Sequence, residues 1–243
     1  MMPFLIKEWG NPSSGYRFGS HLKQALDNSR EQLATLVGAD PASVLFTSCA
    51  TESNNAAIRA ALDSAPEKRH IITAKTEHSS VLSFCKDLEK TGYAVTYLPV
   101  NQDGLISVLD LNQAITEQTV VVTLMWANNE TGVVSPVEEI VSVCRERGVL
   151  FHCDAVQAAG KIQIDLISSS PDFLTLSAHK IYGPKGCGAL IASEKNLKKP
   201  VLFGGQQEGG RRGGTENVAA IVGFGKAERS CVGKPNQVVG SHQ

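Results

Sequence analysis

The sequence predicts an α/β fold, a mostly parallel central sheet with helices on both faces, and three observations lead to it. Helical and strand patterns alternate along most of the 243 residues, as βα units do and segregated classes do not. The run Thr119–Trp126 is continuously apolar and β-branched, which suits a strand covered on both sides. The polar, reactive residue types follow directly on the strand-like runs, at the strand ends where open α/β sheets bind ligands.

Taken in order, Met1-Met2-Pro3-Phe4-Leu5-Ile6-Lys7 reads as part of an amphipathic helix with no cap before it. Ser20 is the expected N-cap of a helix in which Leu22, Leu26, Leu33 and Leu36 recur at helical spacing until Gly38 ends it. Val44–Thr47 is a short buried strand, and after a polar turn Glu52–Leu62 reads as a helix. His70–Ala74 is a strand, Ser79–Thr91 a helix closed by Gly92, and Ala94–Val100 a strand. Val108–Ile115 reads as a helix, and Thr119–Trp126 runs into the polar turn Asn128-Asn129-Glu130-Thr131-Gly132. Pro136 opens a helix to Arg147, Gly148 ends it, and Val149–Cys153 is a strand. Phe173–Leu176 and Gly188–Ala192 are the last strands, with glycine-rich loops at Gly183–Gly188 and Gly204–Gly214. No repeat or linker divides residues 1–229, so one large domain is expected there. From Ser230 to Gln243 the chain is polar and without periodicity, and reads as a disordered tail.

The chain is long enough to bury a core without disulfides or metals. Its formal net charge of −1 gives no electrostatic reason to expect nucleic acid or an anionic membrane as partner, so a small-molecule substrate is the expectation. No apolar run approaches a membrane span, and Met1–Ile6 is too short for a secretory signal; a soluble, cytoplasmic protein is expected. The six cysteines show no CxxC pair and no zinc-ligand spacing. Four lie in or beside apolar runs and read as small buried hydrophobes, while Cys49 and Cys187 lie in loops.

Thr51, His78, Asn129, Asp154 and the pair His179-Lys180 each follow a different strand, so they converge on one crevice. Each has a bland alternative when taken alone. Thr51, with the backbone at Ala50, stands at a helix start that could hold a phosphate, or it is simply an N-cap. Asp154, behind an apolar strand, needs a cationic partner, which is either a structural ion pair or the protonated nitrogen of a pyridine ring. His78 is a core histidine or a catalytic one. Lys180, in Ser177-Ala178-His179-Lys180, is a surface charge or a partly desolvated amine able to form a Schiff base with an aldehyde.

The set resolves these choices through a resemblance. Gly10-Asn11-Pro12-Ser13-Ser14, Phe46-Thr47-Ser48-Cys49-Ala50-Thr51-Glu52-Ser53-Asn54-Asn55, Thr76-Glu77-His78, Asn128-Asn129-Glu130-Thr131-Gly132, Asp154-Ala155-Val156-Gln157 and Ser177-Ala178-His179-Lys180-Ile181-Tyr182-Gly183-Pro184-Lys185-Gly186 resemble, in order and spacing, the cysteine desulfurases and selenocysteine lyases of the class V aminotransferase group. The match runs from about Met1 to about Ala227. It implies the large domain of a pyridoxal 5'-phosphate (PLP) enzyme of fold type I. Lys180 would carry the cofactor as an aldimine, and Asp154 would pair with the pyridinium nitrogen and keep the ring an electron sink. His78 would stack on the ring and take part in proton transfer, and Gln157 and Asn129 would meet the phenolic oxygen and the substrate side. Thr51, Ser177 and His179, with the Ala50 backbone, would hold the phosphate. Thr215 would reach the phosphate in the other subunit of a homodimer, with Arg211 and Arg212 flanking the interface loop.

The activity implied is removal of sulfur from L-cysteine or a related amino acid, leaving alanine and a persulfide that passes to a sulfur-acceptor protein, as in iron–sulfur cluster biosynthesis. Three departures qualify it. The sequence starts after the family's Ala-Thr-Thr-like segment, it stops before the small C-terminal domain with its nucleophilic cysteine and carboxylate-binding arginine, and Cys49 stands where the family commonly has glycine. A truncated form that binds PLP without turning cysteine over is therefore expected. The alternatives are a selenocysteine lyase, or a non-catalytic fragment that pairs with a full-length subunit.

Overall fold

A computed structural model describes residues 1–14, 17–167 and 170–228. The apolar runs become strands β1 (Val44–Thr47), β2 (His70–Ala74), β3 (Ala94–Leu98), β4 (Thr119–Met125), β5 (Leu150–Asp154), β6 (Phe173–Ser177) and β7 (Gly188–Ala192). The helices are α1 (Met2–Ile6), α2 (Arg17–Val37), α3 (Ala50–Ser64), α4 (Ser79–Lys90), α5 (Val108–Ala114), α6 (Val137–Arg147) and α7 (Val218–Glu228). The strands form one sheet in the order β1-β7-β6-β5-β4-β2-β3. From β6 to β3 all pairs are parallel, and β7 runs antiparallel to both β6 and β1.

Because side chains alternate across a strand, a run that is apolar at every position must be covered twice. Phe46, Ile72, Val122, Phe151 and Leu174 face a core built with α2, α5, α6 and α7. Leu45, Ile71, Val121, Phe173 and Leu190 face a second core built with α3 and α4. The expected mostly parallel sheet with two helical layers is what forms.

Three local expectations are corrected. Ser20 lies inside α2, which already includes Arg17, so it is not an N-cap. Cys49, rather than Thr51, is the N-cap of α3, and Thr51 sits within its first turn. Helix α7 was not anticipated, because Gly223 and Gly225 interrupt its apolar spacing. One of those glycines is explained by packing: a Cβ at Gly225 would stand 2.8 Å from the Ser29 Cα, so its absence lets α7 lie directly on α2.

An edge strand exposes a row of unpaired backbone groups, and on β1 charged side chains cover that row. Glu208 accepts from the Phe46 amide (2.9 Å) and is gripped in two-pronged fashion by Arg30, at 2.8 and 3.0 Å. Arg30 also donates to the Val44 carbonyl, and Arg211 donates to those of Ala42 (3.0 Å) and Val44 (3.4 Å). The glycine-rich loop that carries Glu208 and Arg211 is thereby tied along the sheet edge.

Candidate active site

Strands β2, β4, β5 and β6 are parallel, and β1, antiparallel to β7, points the same way. Their C-terminal ends therefore open on one edge of the sheet. A cavity of about 190 Å³ lies there, lined by Ala50, Thr51, His78, Asn129, Asp154, Gln157, His179 and Lys180, together with Cys49, Met125, Ala127 and Val156. Eight of the ten residues expected at the site are thus brought together. Ser177 is buried behind the cavity and bonds the Nδ1 of His179 at 3.0 Å. Thr215 is exposed and does not line the cavity. A larger cavity, about 760 Å³, lies towards the opposite edge beside Gly38, Cys144, Arg145, Leu166 and Asp172, but it gathers no comparable set of reactive groups.

Helix α3 starts without a side-chain cap, which leaves first-turn N–H groups at the cavity as an anion site. The turn before it is braced: Glu52 accepts from the Ser48 amide (2.8 Å) and from Arg212 at 2.9 and 3.2 Å. Burial pushes the Glu52 carboxyl up, but its hydrogen bonds from Arg212 and Ser48 outweigh that and hold it below its ordinary value. From the other side Gly188 closes in, since a Cβ there would meet the Cys49 carbonyl carbon at 2.7 Å.

Asp154 ends β5 and is buried, with Oδ2 accepting from Asn54 at 2.7 Å and Oδ1 from the Val156 amide at 3.0 Å. Desolvation raises its pKa, against the hydrogen bonds from Asn54 and Val156 and the nearby His78, which lower it. Among the described residues this carboxylate has donors but no lysine or arginine as hydrogen-bond partner, so the structural ion pair considered for it is not seen there. His78 caps α4, its Nδ1 accepting from the Ser80 amide. Lys180, in the turn after β6, is exposed and lines the cavity. Gln157 is held through its carbonyl oxygen by Lys161.

Of the four cysteines expected to be buried, Cys85, Cys144 and Cys153 are, while Cys231 lies outside the described residues together with the rest of Ser230–Gln243; Cys187 is buried too. Cys187 does lie in the loop before β7, but it is no exception to burial, which pushes its thiol up to about 12. Cys49 is partly exposed and lines the cavity.

Three participants escaped sequence reasoning. Asn54 and Ser80 link Asp154 to His78. Glu77 is buried, accepts from the Met125 amide at 2.7 Å, and has its pKa raised well above its ordinary value by burial, against that hydrogen bond and with Asp154 adding to the effect. Buried Asn, Ser and Glu on helix and loop positions carry no periodic signal that would separate them from surface residues. For Glu77 and Asn54 the only pointer was their place inside the quoted motifs.

An amine, a buried carboxylate, an imidazole and an uncapped helix start thus meet at one edge of the sheet. The chain belongs to the class-V aminotransferase family, whose model matches residues 1–233, a PLP-dependent family. It is 54% identical over 227 residues to a cysteine desulfurase of Nostoc sp., covering 93% of this chain and 57% of that one. It is also 45% identical to the cysteine desulfurase NifS of Azotobacter vinelandii over 93% and 57% of the two chains. Among solved structures it superposes on SspA in complex with cysteine with a TM-score of 0.89 and 40% identity, over 93% of this chain and 66% of that one. A NifS-like protein gives 0.91 and 37%, over 95% and 64%. The chain spans about 57% of the length of the curated relatives it matches.

Proposed function

We propose that these residues are the PLP-binding core of a cysteine desulfurase acting on L-cysteine. The observation that carries this reading is the convergence of Lys180, Asp154, His78 and the open start of α3 on one cavity. The donor set suits the cofactor group by group. A primary amine suits its aldehyde, a buried carboxylate its pyridinium nitrogen, and unpaired helix N–H groups its phosphate.

When bound, PLP supplies an electron sink for the carbanion at the substrate's α-carbon. Lys180 would hold the group through its aldehyde carbon, and its amine is placed to move a proton at the substrate's α-carbon. Asp154 would keep the ring nitrogen protonated. Its own two donors, from Asn54 and Val156, fix the carboxylate so that little reorganisation is needed when the ring arrives. Ala50 and Thr51, with Ser177 and His179, would anchor the phosphate, and Gln157 and Asn129 would set the tilt of the ring and meet the substrate.

Two measurements test this. Titration with PLP should give a visible absorbance band, and borohydride reduction with peptide mapping should place the pyridoxyl group on Lys180. A label on another lysine would overturn the assignment. Asp154→Ala should then weaken PLP binding about 10- to 100-fold, and Gln157→Ala about fivefold, because a hydrogen bond to a charged group contributes more than a neutral one. Equal losses would mean that Asp154 does not face the ring.

A further inference from the structure

The polar groups behind the cavity form one continuous chain with a defined direction. Asn54 Nδ2 lies 2.7 Å from Asp154 Oδ2 and 2.9 Å from Ser80 Oγ, and Ser80 Oγ lies 2.8 Å from His78 Nδ1. Asn54 is fully buried, and Ser80 and Asp154 are only 8% and 6% exposed, so water does not compete for the contacts of Asn54, whereas the ring of His78 at the end of the chain is exposed.

Donor and acceptor counting fixes every proton. The ionised Asp154 only accepts, so the amide of Asn54 must turn its nitrogen to it; the opposite flip would put Oδ1, which has no partner where it now lies, against the carboxylate. The two hydrogens of that nitrogen go to Asp154 and to Ser80 Oγ. Ser80 Oγ has then received a donor, and its own proton goes to His78 Nδ1. The Ser80 amide, 3.1 Å away, donates to the same nitrogen. A ring nitrogen that accepts two donors carries no hydrogen, so a neutral imidazole carries its proton on Nε2.

We infer that Ser80 and Asn54 are positioning residues that transmit the charge of Asp154 to His78 and hold its imidazole as the Nε2–H tautomer, with Nδ1 anchored to the protein. The two groups expected to touch the cofactor ring, one at its nitrogen and one on its face, are thereby set by a single hydrogen-bonded chain. The consequence is directional. Removing the charge at Asp154 lets the Asn54 amide turn over, frees Ser80 to accept, and relaxes the tautomer of His78 without altering His78 or Ser80.

This rests on the chain's own residues and not on the bound cofactor, so it is tested on the full chain both without and with PLP. The ring nitrogen shifts of His78, assigned by comparison with His78→Gln, report the tautomer at a pH where the ring carries one proton. The expected result is a bare Nδ1 and a protonated Nε2. Ser80→Ala should lower the tautomer ratio about fivefold, the usual value of one neutral hydrogen bond, and Ser80→Thr should restore it. Asp154→Asn should move the ratio in the same direction as Ser80→Ala. A protonated Nδ1 in the unaltered chain, or an Asp154→Asn spectrum with the original ratio, would overturn the inference. Failure to bind PLP would count against the proposed function and leave this result standing.

Discussion

Glu208→Ala is expected to destabilise the fold by about 3–5 kcal/mol, the cost of removing one partner of a buried ion pair and leaving the other charge uncompensated. The Glu208 side chain is 2% exposed and that of Arg30 16%, so little water can reach the guanidinium left behind. The Phe46 amide at the edge of the sheet would lose its acceptor at the same time. A second term works the other way. Glu208 adopts a left-handed conformation, φ 50°, which costs a non-glycine residue about 1–2 kcal/mol, and its carboxylate contacts offset that. Glu208→Gly would relieve the strain and still lose the pair, so it should fall between the original chain and Glu208→Ala. Replacing Arg30 and Glu208 together by methionine and leucine removes both charges and should cost much less than Glu208→Ala alone. Denaturant midpoints of the four proteins decide this, and a loss below about 1 kcal/mol for Glu208→Ala would show that the edge is not sealed by the pair.

Much of this architecture was legible in the sequence because the sheet is buried on both faces. His70–Ala74 and Gly188–Ala192 have the expected boundaries, since a strand apolar at every position ends where polar or turn residues begin. The cavity was legible for the same topological reason. Residues that follow parallel strands must meet at one edge, so Thr51, His78, Asn129, Asp154 and Lys180 could be assembled without coordinates.

What was not legible depends on contacts far apart in sequence. The antiparallel β7 between β6 and β1 follows from the long loop that precedes it and carries no composition signal. The edge seal joins Arg30 to Glu208, two residues that alone read as surface charges. Asn54 and Ser80 look like ordinary polar helix residues until α3 and α4 pack side by side. Cys187, placed in a glycine-flanked turn, is buried because β7 begins immediately after it.

His152 is expected to make the fold acid-sensitive between about pH 6.5 and pH 3. It sits in the middle of β5, fully buried, with Nδ1 2.8 Å from the Thr123 hydroxyl and Nε2 3.0 Å from that of Thr175. Burial lowers its pKa from 6.5 to about 3, because an imidazolium there would be charged inside the sheet with only hydroxyls to meet it. Below pH 6.5 the unfolded chain binds a proton at this residue that the folded chain refuses. Stability from this site is therefore complete above pH 6.5 and falls with pH by about 1.4 kcal/mol per unit, until the folded form also protonates. Other groups overlay the effect. His70, lowered by burial, adds to it. Glu77 and Asp154, both raised first by burial, act in the opposite direction, since their stabilising contribution is present at low pH and is lost as pH rises through their folded values. The sum is uninformative, and the difference from a single substitution isolates the site. His152→Gln keeps a donor and an acceptor for the two threonines and does not titrate. It should cost about 1–2 kcal/mol at pH 7.5 through imperfect packing and hydrogen bonding, yet its unfolding free energy should fall less steeply from pH 6 to pH 4 than that of the original chain. The two curves should differ by about one proton per molecule in slope and should converge or cross as the pH is lowered. Parallel curves would mean that His152 opens to solvent and protonates in the folded state, contrary to its place between the two hydroxyls.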